Sequence, residues 1–110
     1  MEYVKAGDLF VPAAFEYREH DADWDMRRSR SITFNGTAAQ AALAFPEGAV
    51  WSIVTAEQTE NGEATEELTC GEFTVAGDII DHRDGTVTVK MGAETELEKV
   101  LALLLGGEDA

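Results

Sequence analysis

One cysteine, two prolines, two histidines and eight basic side chains are all that 110 residues hold of these types, and each shortage removes a class of function. A lone thiol, Cys70, can close no internal disulfide, so the chain fits a reducing, cytoplasmic compartment. His20 and His82, without HExxH, His-x-His or Cys/His spacing, supply no zinc ligand set, and no metal is expected. Eight Lys and Arg against 22 Asp and Glu leave a formal charge of −14. Nucleic acid is thereby disfavoured as a direct partner, because that affinity comes from cations neutralising phosphates, and anionic membranes are disfavoured for the same reason. The longest apolar run, residues 100–105, is far short of the roughly 18 residues of a membrane span. Met1-Glu2-Tyr3-Val4-Lys5 lacks the basic and then apolar segments of a secretory signal, so no export is expected.

What is present suits a folded chain. Hydrophobic residues make up 45% and charged residues 27%, enough for one core, and the length suits a single domain over residues 1–110. Residues 3–11 read as two short strands about a Gly7-Asp8 turn, with Pro12 ending the pairing or marking a sheet edge. Alternation of Phe15 and Tyr17 with Glu16 and Arg18 predicts a strand over about 13–19. Residues 20–30, dense in charge, read as a loop with Trp24 as its aromatic anchor, and Ile32 and Phe34 share one face of a short strand over 31–34. Thr37 and Gln40 have the spacing of a capping box, each side chain satisfying the other's free N–H, which predicts a helix over about 38–45 stopped by Pro46 and Gly48. Residues 49–56 (AVWSIVTA) are bulky at both alternating positions and predict a strand covered on two faces. Residues 57–67 carry five glutamates and no large apolar side chain and read as a solvated loop, with extended structure resuming over 68–75.

Asp84-Gly85 between two β-rich runs is a strong hairpin signal. Two registers are open: a two-residue turn sets Ile80 opposite Val89, and a three-residue loop ending in a glycine bulge sets Ile79 there. Thr95 and Glu98 form a second capping box, with acids in the first turn where the helix dipole favours them, so the last helix starts near Glu96. Leu97, Val100, Leu101 and Leu104 recur along one face, Leu103 and Leu105 widen it, and Gly106-Gly107 can end the helix. Burial of this stripe is expected, contact with a partner subunit being its other use. The whole predicts an α+β fold: a mostly antiparallel sheet of about five to six strands, one short internal helix and a C-terminal helix packed on the sheet.

Chemistry is sparse. Asp21, Asp23 and Asp25 alternate like the first half of an EF-hand loop, but the sixth position is Met26 where glycine must turn the chain, and the twelfth is Ile32 where a bidentate glutamate is needed. His82, beside Asp81 and Asp84, reads as turn chemistry, with no Ser or Cys placed on a nucleophile elbow near it. Gly106-Gly107 follows a helix, whereas phosphate loops precede one. Cys70 reads as a structural thiol. No catalytic residue and no cofactor are therefore expected. Trp51 reads as core and Trp24, among charges, as an exposed contact.

The run CGEFTVAGDIIDHRDGTVTVKMGAETELEKVLALLLGG, with AGDIIDHRDGTVTVKMG over residues 76–92 as its most specific part, resembles small proteins encoded in bacteriophage and prophage genomes of Gram-positive gut bacteria. ITFNGTAAQAALAFPEGAVWSIV resembles them more weakly. The resemblance covers over half the chain and implies an accessory or minor structural protein of the virion or tail, in the host cytoplasm or on the particle, acting through protein–protein contacts with phage proteins or with itself. The net charge supports an alternative, an acidic DNA mimic that inhibits a host nucleic-acid-binding protein. The expected contact residues are Trp24, Asp21, Asp23, Asp25, Glu57, Glu60 and Glu63 on the acidic segments, and Leu103 and Leu105 on the last helix.

Overall fold

The computed structural model describes residues 1–106. In chain order these form β1 (Glu2–Ala6), β2 (Leu9–Asp21), β3 (Arg27–Asn35), α1 (Ala38–Ala44), β4 (Ser52–Thr59), β5 (Gly62–Thr69), β6 (Val75–Asp81), β7 (Thr86–Gly92) and α2 (Glu96–Gly106). The strands make one sheet in the order β5-β4-β1-β2-β3-β7-β6, antiparallel at every pairing. The sheet thus has seven strands, not five to six.

Residues 57–67 are not a loop. β4 continues to Thr59 and pairs with β5 from Ser52↔Thr69 to Thr59↔Gly62. Glu60-Asn61 turns the chain, Gly62 supplies a φ of 109°, and the Thr59 hydroxyl donates to the Gly62 carbonyl at 2.6 Å. Backbone pairing makes this ribbon, and since both its faces meet solvent at the tip, no apolar alternation reveals it.

The strand beginning at Leu9 is likewise longer than its sequence suggests. Residues 9–12 pair with β1 and residues 13–21 with β3, so Pro12 neither ends the strand nor marks the sheet edge. It sits where β2 exchanges partners, a position that tolerates a missing N–H. The charged stretch from residue 20 also pairs: only residues 22–26 turn between β2 and β3. Conversely, residues 49–51 precede β4 and residues 70–74 leave the sheet, because the two segments bind each other. Cys70 N–H donates to Trp51 O at 2.7 Å and Gly48 N–H to Thr74 O at 2.8 Å.

One face of the sheet carries the core. Val4, Ile32, Val87, Val89 and Met91 are fully buried there, and Trp51 fills its centre, stacked on Phe15 and edge-on to Phe45. The Trp51 indole N–H donates to Phe73 O at 2.9 Å, which removes the penalty of burying that donor. Burying a side chain of this size contributes about 3 kcal/mol. α1 lies across β6 and β7. The Thr37–Gln40 capping box is formed in both directions, and the small side chains of AAQAALA let the helix approach closely, with Ala41 fully buried.

β6 and β7 form the expected hairpin in the three-residue register, Ile79 opposite Val89, with Gly85 at φ 92°. Asp81 and Asp84 accept from the turn's own backbone N–H groups, Arg83 and Thr86, each at 2.9 Å. Residues 77–78 bulge from β6 opposite Lys90. Among the described residues, no helix is long and apolar enough to cross a membrane.

Candidate functional site

α2 begins as the sequence predicts. Thr95 Oγ1 accepts from Glu98 N at 3.2 Å and Glu98 Oε1 accepts from Thr95 N at 2.9 Å, closing the capping box. The Glu98 carboxylate also takes Arg27 through two bonds, Nη1 at 2.9 Å and Nη2 at 3.0 Å. Arg27 Nη1 additionally donates to Ala93 O at 3.2 Å, and the guanidinium lies 4.7 Å from the Trp24 ring. These bonds to Arg27 hold the Glu98 carboxyl below its ordinary pKa.

Beyond this clamp the expectation of burial fails. Leu97, Val100, Leu101, Leu103, Leu104 and Leu105 are between 46% and 75% exposed, and α2 does not pack on the sheet. The physical reason is that Trp51, Phe45, Phe15 and α1 already fill the core face, while α2 is tied to the sheet at its first turn, through Glu98 to Arg27. Leu103 and Leu105, two of the expected contacts, thus lie in a six-residue apolar stripe open to solvent, a feature that marks binding surfaces. The proposed stop at Gly106-Gly107 lies partly outside the described residues.

The end of β2 and the turn that follows carry four expected contacts and split them. Asp23 and Asp25 are exposed. Asp21 is not on the acidic surface at all: its exposure is 0%. Its carboxylate accepts from Lys90 Nζ at 2.7 Å, Ser29 Oγ at 2.9 Å and Asp23 N at 3.1 Å. The bond from Lys90 holds its pKa below the ordinary value against the opposing effect of burial. The sequence misplaces Asp21 because Lys90, 69 residues away, is what draws it inside. Trp24 is half-buried rather than an open contact, lying over the sheet face opposite the core. A Cβ on Gly77 or Gly92 would come within 2.6 or 2.8 Å of its ring, so both positions need glycine for this approach.

Glu57 and Glu63 are exposed on the paired backbone of the β4–β5 ribbon and Glu60 at its turn, where the sequence predicts a solvated loop. His82 Nε2 lies 2.7 Å from Thr88 Oγ1, and His20 is exposed on β2. Among the described residues no three His, Cys, Asp or Glu side chains converge as a metal site requires. Cys70 is a buried free thiol, its pKa raised by burial. Comparison with known protein families, curated proteins and solved structures finds no match to this chain.

Proposed function

We propose that the protein is a phage-encoded accessory or minor virion-associated protein that works by binding, not catalysis, and that α2 is the element it inserts into its partner. The observation that carries this reading is the exposed apolar face of α2 beyond a rigid polar root. An amphipathic helix offered in this way docks into an apolar groove, with side chains at i, i+3, i+4 and i+7 as anchors. The partner is a different protein, with lysines or arginines rimming its groove. Exposed Glu94 and Glu96 flank the base of the helix, and two copies each carrying −14 repel one another. The sequence resemblance of residues 32–54 and 70–107 supports a phage protein as that partner, met in the host cytoplasm or on the particle.

The test is copurification of tagged protein from prophage-induced lysate at low and moderate salt, beside the Leu101→Lys/Leu104→Lys variant. Phage head or tail proteins retained by the wild type through moderate salt and absent with the variant are the expected result. Equal recovery with both proteins overturns the role of α2, and concentration-dependent dimerisation abolished by the variant replaces the heterologous partner with a second copy.

One observation favours a second reading. The β4–β5 ribbon presents its glutamates on an ordered support, as a mimic of a phosphate backbone needs. Under that reading the captured proteins are host nucleic-acid-binding proteins, released as salt rises and indifferent to the α2 substitutions.

A further inference from the structure

Six of the eight cationic side chains, Lys5, Arg18, Arg27, Arg28, Lys90 and Lys99, have a carboxylate within 4.0 Å. Arg83 is exposed in the β6–β7 turn. Arg30 is different: it is half-buried on the core face of β3, and among the described residues no carboxylate lies within that distance of it. Its Nε is buried without a hydrogen-bond partner. Arg27 Nε shares that condition, but the rest of the Arg27 guanidinium is taken by Glu98 and Ala93 O. The Arg30 guanidinium instead rests in the angle between two perpendicular rings, 5.0 Å from Tyr17 and 5.1 Å from Phe73. This placement leaves the Nε–H without a hydrogen-bond partner, and the guanidinium is a planar donor group of the kind a carboxylate pairs with.

We infer that Arg30 is the binding group of a site for a carboxylate on a short apolar stem. A cleft of about 190 Å³ opens beside it, lined by Tyr17, Arg28, Thr69, Cys70 and Phe73 among others. At about 30 Å³ per water molecule, that space holds a carboxyl group and a few carbons. The planar fork of a guanidinium matches two carboxylate oxygens, and Leu68 and Phe73 offer the stem an apolar wall. Charge selects a monoanion. Glu72 takes Arg28 at 2.7 Å, which leaves Arg30 as the one uncompensated cation of the cleft, while Glu72 repels a second negative charge. The molecular charge of −14 does not forbid this, since acids more than about 8 Å away are screened at physiological salt.

The ligand is a free small acid or a glutamate side chain of a polypeptide, and two probes separate these sources. The full ¹⁵N-labelled chain is titrated with propionate and with the capped peptide acetyl-Gly-Glu-Gly-amide, following the Arg30 Nε–H and the Thr69 and Cys70 amides by NMR. Saturable shifts are expected, with a dissociation constant on the order of 1–10 mM. Tighter binding of the peptide assigns a polypeptide ligand, and tighter binding of propionate a free acid. Arg30→Met abolishes the shifts, and Arg30→Lys, which keeps the charge without the fork, weakens binding about tenfold. Shifts that are linear, reproduced by sodium chloride at equal ionic strength, retained in Arg30→Lys at full strength, or given by inorganic phosphate and not by propionate or the peptide overturn the site.

Discussion

α1 and α2 begin with the same device and end in opposite places. Each opens on a threonine whose hydroxyl and a Gln or Glu three residues on cap one another's backbone. α1, with small side chains, is pressed onto the core face. α2, with six large apolar side chains, covers nothing. Apolar content therefore does not decide which helix is buried. What each helix meets does: Trp51 and Phe45 complete the core beneath α1, whereas α2 leaves β7 on the side of the opposite face, held there through Glu98 to Arg27.

The comparison breaks most visibly at Trp51. Trp51→Ala is expected to cost about 3–5 kcal/mol in urea denaturation, with loss of the stack on Phe15 and of the bond to Phe73 O. A cost below about 1 kcal/mol would mean that the face under α1 is not the stabilising core.

Arg27→Met tests the root of α2. It keeps the apolar stem under Trp24 and removes the guanidinium, at a cost of about 2 kcal/mol; this is less than for a fully buried pair, because the Glu98 side chain is 41% exposed. Amide protection should fall across α2 and stay unchanged in β4. The same pair, with Asp21–Lys90, contributes to the acid limit of the fold. Both carboxyls are held below their ordinary pKa, so the unfolded chain binds more protons. The stability they confer is complete above the ordinary carboxylate pKa of roughly 4 and is lost as pH falls through the depressed values. Arg27→Met should flatten that acid limb, as read by tryptophan fluorescence against pH.

Smaller effects sharpen the contrast. Thr37→Ala and Thr95→Ala each remove a cap worth about 1 kcal/mol. The first should lower global stability, whereas the second should appear only as faster amide exchange within α2. Leu104→Lys, smallest of all, should change stability by no more than about 0.5 kcal/mol while abolishing partner capture. A larger loss would mean that the α2 stripe is packed in solution.

What the sequence makes legible is what residues near one another decide. Both capping boxes, the shared face of Ile32 and Phe34, and the β6–β7 hairpin with its two candidate registers rest on spacings of a few residues. The β4–β5 ribbon is hidden because glutamates dominate its composition, although Asn61-Gly62 is a hairpin signal in its own right. The burial of Asp21 and the exposure of the α2 leucines depend on partners or competitors far along the chain. The cleft at Arg30 is of that kind too: an arginine between Ser29 and Ser31 does not announce that the acid of its cleft, Glu72, is already taken by Arg28.

The two rims of the sheet carry a last consequence. A strand at the end of a sheet is a template onto which another chain can zip by backbone pairing alone. One rim here, β5, is lined with Glu63, Glu66 and Glu67, and the other, β6, is broken by the bulge at residues 77–78 and carries Asp78 and Asp81. Both ends are closed to growth, one by charge and the other by shape and charge. Pairing of one copy's sheet onto another's, edge to edge, is thereby disfavoured.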